Sequence, residues 1–433
     1  MKRCITILTS VALCMGMTAC KPENMAFCSL ETPAPVTLNV VTCYGGDDGN
    51  HSHYQDAVDD FMEKYNVNVA EMSAVSNEDW KNSVLADFIT GSEPDVLFYF
   101  VGADADPFVN ADKVVSIEEI RQEYPDYASN MKDSMMPVAQ NGKHYAVPST
   151  GFWENMFVNK RVLEECGIPV PGSDYTWEQF LTDCAKIKDK GYTPIACSLF
   201  EIPHYWFEFM VMNHGTPGNH LDLPGLDEKG DLVDDPVSRK WIQALEDIRM
   251  LYEAGYFPED TLTASDAQTV SLFTDGEAAF LVEGSWKVGF FTENYGDRLS
   301  DFVVSFVPGR GERKATDAIG GISMGYFISR KAWDNPQKRQ AAVDFVKHMT
   351  ADDVLSAFVT TEMTALESGA HSRDLNEIQE SAADANSCIT SFSGAVQDTM
   401  SSDAKSELFS NIPKVVTGKM TAAKAVELAM KLN

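Results

Sequence analysis

Three glutamates of this chain could do chemistry: Glu154, Glu208 and Glu283. A pair of such carboxylates could serve a glycosidase as general acid and general base. The same groups could instead accept hydrogen bonds from neighbouring hydroxyls of a bound sugar. The two roles differ in the separation of the carboxylates, which the sequence alone does not fix. The choice between them therefore depends on the surrounding pattern.

A serine motif is the second candidate. Residues 321–325, G-I-S-M-G, fit the nucleophile formula G-x-S-x-G, with His348 and His371 downstream. That motif needs a strand before the serine and a helix after it. Here Ser323 leads into G-Y-F-I-S, a strand pattern, so we expect no hydrolase nucleophile at this position.

A polar loop is the third candidate, because Asp47, Asp48, His51 and His53 follow the first predicted strand. Their spacing is not diagnostic of a metal site, and a polar loop after a strand is the commoner arrangement. The sequence leaves open whether this loop binds a metal ion. The sequence contains no Walker A, H-E-x-x-H or dinucleotide fingerprint, so we expect no cofactor.

The elements that must position these groups begin with alternating strand and helix patterns. The helix patterns place apolar residues three and four apart, as in Tyr54, Val58 and Phe61. The predicted order is strand 37–44, helix 54–65, strand 67–75, helix 80–89 and strand 95–101. A β-α-β-α-β order predicts an open α/β lobe.

Later helices carry their own start and stop signals. Thr176 is the predicted N-cap of one helix, with Gln179 at the capping-box position. A second helix follows Asp235, has one apolar stripe and ends near Gly255. A third covers residues 338–349.

Residues 273–286, F-T-D-G-E-A-A-F-L-V-E-G-S-W, combine a turn, a short apolar run and a final tryptophan. The run 278–282 has the length and composition of a buried strand. A strand that ends in Gly-Ser-Trp brings Trp286 to the end of a sheet, where open α/β folds bind ligands. This stretch resembles the signature of family 1 extracellular solute-binding proteins of ATP-binding cassette importers, the maltose-binding-protein-like group. Residues 141–148 and 320–325 are similar to the segments in which that family's chain crosses between lobes.

The resemblance implies an α/β, periplasmic-binding-protein-like fold, with two lobes, hinge crossings and a ligand cleft between the lobes. The crossings are expected near Thr150, Gly320 and Leu366. The implied limits are 36–149 plus 321–365 for the N-terminal lobe and 150–320 plus 366–433 for the C-terminal lobe.

The resemblance also implies a binding protein and not an enzyme. It would capture a carbohydrate of oligosaccharide length and deliver it, by hinge closure, to the permease subunits of an importer. ATP hydrolysis would then belong to a separate subunit. A peptide or polyol ligand is the nearer alternative, and a surface glycoside hydrolase is the more distant one. We expect a monomer.

Transferred to this chain, the resemblance places Trp286 on the wall of the cleft, with Tyr99 facing it from the other lobe. Trp206 joins them because the triplet H-Y-W at 204–206 is unusually aromatic for a core helix. The predicted ligand contacts are Tyr44, Asp47, Tyr99, Trp153, Glu154, Trp206, Glu208 and Trp286.

The N-terminus has the order of a secretory signal: two basic residues, an apolar run over 5–17, and small residues before Cys20. We expect a signal peptide over residues 1–19 and a linker over 20–35. The ending resembles a bacterial lipobox, which implies that Cys20 is acylated and holds the protein on the outer face of the cell membrane. An ordinary signal cleaved after Ala19, with no lipid, is the alternative.

Composition fits an exported globular protein of two lobes. The 433 residues exceed the usual limit of one core. Lysine and arginine number 34 against 65 acids, a net charge of −31, which disfavours nucleic acid and anionic membranes as partners. The nine cysteines match no zinc spacing. Beyond the signal and Cys20, we expect mostly buried, unpaired thiols, with one or two disulfides left open.

Overall fold

The computed structural model describes residues 35–46, 48–358, 364–369 and 374–433. The predicted signal peptide, Cys20, Cys28, Asp47 and His371 lie outside the described residues. No helix in the described part is long and apolar enough to cross a bilayer.

The described strands are β1 Thr37–Val41, β2 Asn68–Glu71, β3 Val96–Phe100, β4 Val147–Pro148, β5 Phe152–Asn159, β6 Thr193–Ala196, β7 Ala278–Gly284, β8 Phe302–Ser305, β9 Asp317–Gly321, β10 Met324–Ile328 and β11 Ser391–Ser393. The described helices are α1 His51–Tyr65, α2 Glu78–Thr90, α3 Asp106–Asn110, α4 Ile117–Glu123, α5 Lys160–Cys166, α6 Trp177–Asp189, α7 His204–His214, α8 Pro236–Glu253, α9 Asp266–Thr274, α10 Trp286–Asn294, α11 Arg330–Asp334, α12 Pro336–Met349, α13 Asp352–Phe358, α14 Glu377–Ser387, α15 Ser402–Val416 and α16 Ala422–Met430. Short 3-10 helices occupy Gly102–Asp104, Asp133–Met135, Gly296–Asp301 and Val396–Thr399.

The first lobe is built on a sheet of order β2-β1-β3-β10-β4. β1 lies parallel to β2 and β3, whereas β10 runs antiparallel between β3 and β4. Helix α1 forms where predicted, and its buried stripe of Tyr54, Val58 and Phe61 packs into the core of this lobe. Helix α2 begins after Asn77, whose side chain accepts from the Trp80 amide, and ends at Gly91 in the left-handed conformation.

The second lobe is built on a sheet of order β11-β9-β5-β7-β6, with β8 also paired to β5. β5 runs antiparallel to β7, β8 and β9, and every residue of β7 is buried. The predicted strand at 278–282 is therefore confirmed. A separate hydrophobic core surrounds this sheet and includes Phe157, Trp241 and Phe280.

Helix boundaries in the second lobe follow the predicted signals. Thr176 and Gln179 form a complete capping box at the start of α6. Asp235 caps α8 by accepting from the Ser238 amide, and Gly255 follows its end with a φ of 67°. Sequence rules for helix starts thus worked well in this lobe.

The chain passes between the sheets twice in short connections, from β4 to β5 and from β9 to β10. Ser323 lies in the second connection, one residue before β10 begins. A strand therefore follows the serine, as predicted, and the strand–serine–helix geometry of a nucleophile elbow is not formed. His348 is used elsewhere, since its Nε2 lies 3.0 Å from the Ala57 carbonyl oxygen. The predicted lobe limits stay a prediction.

The described cysteines are all free thiols. Cys43, Cys166, Cys184 and Cys197 are buried, and Cys388 is exposed. Buried cysteines in these cores act as small apolar side chains. The expectation of mostly buried, unpaired thiols is confirmed for these five.

Candidate ligand-binding site

Trp286 is fixed by the strand that precedes it. β7 ends at Gly284, and Trp286 is the first residue of α10, so the ring turns back over the strand end. A Cβ on Gly284 would lie within 2.1 Å of the ring. Trp286 Nε1 also donates to Glu283 Oε2 at 3.1 Å. The G-S-W pattern is thus explained: glycine gives the ring a flat surface to lie on, and the glutamate fixes its orientation.

Trp286 belongs to a group of aromatic side chains that are only partly buried. Its ring centroid lies 6.5 Å from that of Phe152 and 6.1 Å from that of Tyr205. The Tyr205 ring in turn lies 4.2 Å from the His204 ring. Such partly exposed ring faces can cover the apolar C–H face of a ligand.

A small cavity of about 60 Å³ separates this tryptophan from the first lobe. It is lined by Gly49, Asn50, His53, Trp286, Gly289, Thr292, Glu293 and Gln379. The first-lobe residues opposite Trp286 therefore come from the loop and helix after β1. The predicted arrangement, with Tyr99 facing Trp286, is wrong. Tyr99 lies in the first core, with its ring 5.2 Å from Trp80, because its position on the central strand β3 points it under helix α2.

The two lobes touch at a pair of glycines beside this cavity. A Cβ on Gly49 would lie 2.7 Å from the Phe290 amide nitrogen, and a Cβ on Gly289 would lie 2.9 Å from the Gly49 carbonyl oxygen. Nearby, Ser52 Oγ donates to Glu293 Oε1 at 3.0 Å. Only residues without a side chain permit this backbone approach.

The three glutamates noted in the sequence are all buried in the second lobe. Glu283 is paired, because Lys287 Nζ lies 3.5 Å from its Oε1 and 3.3 Å from Asp266 Oδ2. Burial nevertheless raises the Glu283 pKa, against the opposing effect of Lys287 and with a smaller rise from Asp266, to a net value of about 7.

Glu154 and Glu208 differ from Glu283 in having no such partner. Glu154 is 2% exposed and Glu208 is 0% exposed. Within the described residues, Glu154 Oε2 and both carboxylate oxygens of Glu208 lack a hydrogen-bond partner. Burial raises the Glu208 pKa well above its usual range, and Glu154 and Asp398 raise it further, while Lys405 and the backbone of Gln397 oppose the rise. Burial also raises the Glu154 pKa well above its usual range, and Asp398 and Glu283 raise it further. The two carboxylates are therefore close to one another and short of donors.

A buried ion-pair network joins the lobes next to these carboxylates. Asp104 of the first lobe lies 3.1 Å from Lys81 Nζ and 2.8 Å from Lys405 Nζ of helix α15 in the second lobe. Burial alone would raise the Asp104 pKa, but the two ammonium groups outweigh it and lower the pKa. The neighbouring His204 has its pKa lowered to about 3 by burial and then by Lys81 and Lys405, so it is neutral.

The remaining predicted contacts are aromatic side chains enclosed in the lobes. Tyr44 stacks 5.0 Å from Phe98, and Trp206 stacks 5.4 Å from Phe180. Trp153 is fully buried, with its ring 6.1 Å from Phe157. These positions give the rings a packing role, and their predicted ligand contacts stay predictions.

The polar loop at 48–53 shows no metal-site geometry. Within the described residues, no group of three or more histidine, cysteine or acidic side chains could hold a metal ion. His51 Nδ1 instead lies 2.6 Å from the Tyr44 carbonyl oxygen, and His53 lines the cavity opposite Trp286.

Sequence reasoning missed Phe152, Tyr205, Lys81, Asp104 and Lys405. The H-Y-W triplet at 204–206 indicated the correct turn of helix α7. Within that turn, the sequence favoured Trp206, whereas Tyr205 is the residue beside Trp286. For the charged network no signal was available, because Asp104 and Lys405 are 301 positions apart in the chain.

Comparison with known proteins assigns the family. A family model described as bacterial extracellular solute-binding protein matches residues 56–380, most of the chain. The chain belongs to this family. Its members are extracellular, which agrees with the predicted secretory signal. The comparison with curated proteins found no match.

Solved structures show the same architecture. A chitin oligosaccharide binding protein is 18% identical, with a TM-score of 0.76, over 92% of this chain and 98% of its own. Maltose-bound MalE3 of T. maritima is 18% identical, with a TM-score of 0.71, and the match covers 92% of this chain and 99% of MalE3. RafE in complex with raffinose is 18% identical, with a TM-score of 0.71, and the match covers 91% of this chain and 98% of RafE. The predicted two-lobe, periplasmic-binding-protein-like fold is therefore confirmed.

Proposed function

We propose that this solute-binding protein captures a carbohydrate of oligosaccharide length outside the cell and delivers it to the permease of an ATP-binding cassette importer. The observation that carries the proposal is the group of partly exposed rings, Trp286, Tyr205 and Phe152, beside two buried carboxylates. Rings that cover the C–H face of a sugar and carboxylates that accept from its hydroxyls are the two contacts a sugar requires. Solved structures similar to this chain include a chitin oligosaccharide binding protein, a maltose-bound protein and a raffinose-bound protein.

Capture works by closure of the two lobes. Contacts between lobes at Gly49–Gly289 and Asp104–Lys405 stabilise the closed state, and a ligand that touches both lobes adds to them. A ligand can shift the equilibrium only by its difference in affinity for the two states. The permease then recognises the closed, loaded protein.

Of the residues predicted from the sequence, we propose that Trp286, Glu154 and Glu208 contact the sugar. Tyr205 and Phe152 extend the aromatic surface around Trp286. Trp153 and Trp206 pack in the core of the second lobe beneath this surface, and Tyr44 and Tyr99 pack in the core of the first lobe. Asp47 remains a candidate contact.

We propose binding without catalysis. Ser323 leads into a strand, and Glu154 and Glu208 both have their pKa values raised, by burial first. A glycosidase of the usual kind needs one carboxylate to stay ionised while the other is protonated. The family is one of binding proteins, which favours the same conclusion.

The test is a thermal-shift screen of the purified protein against oligosaccharides, peptides and polyols. We expect an oligosaccharide to raise the melting temperature, because a ligand at 100 times its Kd adds about 2.7 kcal/mol to the free energy of unfolding. The ligand should be recovered chemically unchanged after long incubation. A shift produced only by peptides or polyols, or hydrolysis of the sugar, would contradict the proposal.

We further propose that the mature protein is a monomer tethered to the outer face of the membrane by lipid on Cys20. Replacing Cys20 by alanine should release the protein into the medium, because the body would lose the acyl chains that hold it at the membrane. Fractionation of cells that express the wild type and Cys20→Ala measures this. Full membrane retention of the variant would count against lipid anchoring.

A further inference from the structure

Acidic groups outnumber basic groups around the proposed site. Within the described residues, Lys287 forms ion pairs with Glu283 and Asp266. Lys81 and Lys405 both form ion pairs with Asp104. No basic residue of the described chain forms an ion pair with Glu154 or Glu208 within 4.0 Å. Asp398 and Glu283 lie close enough to add to the negative potential at Glu154.

The unpartnered oxygens of these two glutamates belong to the region where the lobes meet. Glu208 lies near Lys405, which reaches across to Asp104 of the first lobe. It also lies near Asp398, whose carbonyl oxygen would be 3.9 Å from a Cβ on Gly102 of the first lobe. A buried carboxyl group without an ion-pair partner is costly to ionise. Burial raises the pKa of both carboxyl groups in the unliganded protein, and a bound cation would favour their ionised forms, whereas a neutral hydroxyl can only form a hydrogen bond.

The surroundings suit an organic cation better than a metal ion. The carboxylates of the described chain do not converge as a metal-binding group. Tyr205, by contrast, feels the charge of four carboxylates: burial raises its pKa first, and Glu283, Glu154, Asp266 and Glu208 raise it further. Its ring, with that of Trp286, offers a π face to a cation held by the acids. The net charge of −31 attracts cations at long range.

We infer that the captured sugar carries a free, protonated amine, and that Glu154 and Glu208 hold the ammonium group while Trp286 and Tyr205 cover the sugar ring. This inference rests on the proposed function and narrows it to amino sugars that are not N-acetylated. An ammonium group makes charge-assisted hydrogen bonds to both carboxylates and stabilises their ionised forms, which burial disfavours.

Matched ligands test the inference without altering the protein. Glucosamine, N-acetylglucosamine and glucose differ at one substituent, and their β-1,4-linked disaccharides give a second series. Each series that binds is titrated calorimetrically against the wild-type protein. The sugar with the free amine should bind at least roughly tenfold more tightly than its acetylated and hydroxyl counterparts. Equal or weaker binding of the amine sugars, or no binding of either amine sugar, overturns the inference.

Two variants assign the effect to the proposed residues. Glu208→Gln and Glu154→Gln each keep the shape and remove the charge, so each should reduce the amine preference to less than about threefold. Glu312→Gln, at an exposed position of the same lobe, should keep the full preference. A preference that survives in both site variants, with their folding verified by denaturant unfolding, overturns the assignment.

The outcomes also separate this inference from the proposed function. If a neutral oligosaccharide binds more tightly than every amine sugar, carbohydrate capture stands and the amine inference fails. If no sugar of either kind binds, both fail.

Discussion

Replacement of Trp286 by alanine should weaken binding of the sugar found in the screen by at least roughly thirtyfold. The side chain is half-buried against Gly284 and Glu283, which hold its ring ready for the ligand. Loss of a fixed aromatic contact commonly costs about 2 kcal/mol or more, and 1.4 kcal/mol is a factor of about ten. Calorimetric titration of the wild type and Trp286→Ala measures the ratio.

The unliganded Trp286→Ala protein should still fold, because the ring lies at the edge of the second core. Trp286→Phe is the matched control, and it should recover part of the affinity since it restores a flat ring without the Nε1 donor to Glu283. Equal affinities of the wild type and the alanine variant would show that Trp286 does not bind the ligand.

Replacement of Gly289 by alanine should weaken sugar binding about tenfold without loss of folding stability. The new methyl group would lie 2.9 Å from the Gly49 carbonyl oxygen, so the closed state must shift to accommodate it. Overpacking of this kind costs roughly 1–3 kcal/mol. In the separated lobes the methyl is free, and alanine is the better residue inside helix α10 by roughly 0.5–1 kcal/mol.

Gly296→Ala is the matched control for the closure effect. Gly296 lies in the same lobe, and a Cβ there would meet nothing within 4 Å. Its affinity should equal that of the wild type. If Gly289→Ala also binds normally, the contact between the glycines does not contribute to closure.

Local sequence rules were enough to predict most of the elements that matter here. Helix α1 followed from the spacing of Tyr54, Val58 and Phe61, and helix α6 from Thr176 and Gln179. Strand β7 followed from its short apolar run. These features depend on neighbours a few positions away, which the sequence displays directly.

The aromatic residues of the site were harder to predict, because adjacent residues of a helix face directions about 100° apart. In α7 every residue from 206 to 213 is buried, so no polar stripe shows which side meets the other lobe. Tyr205 reaches the site, and Trp206 turns inward onto Phe180.

The contacts between lobes could not be predicted from the sequence at all. The glycine contact and the Asp104–Lys405 pair join segments that are distant in the chain and come together only when both lobes are folded and closed. Nothing near Lys405 in the sequence distinguishes it from a surface lysine. Its burial depends on the position of Asp104, which the first lobe supplies.

Small-angle X-ray scattering with and without saturating sugar tests most directly whether the ligand is enclosed by closing lobes. We expect a smaller radius of gyration with sugar in the wild type and in Gly296→Ala. In Gly289→Ala we expect a weaker contraction at the same degree of saturation. A radius of gyration that stays constant while calorimetry shows the sugar bound would contradict capture by closure.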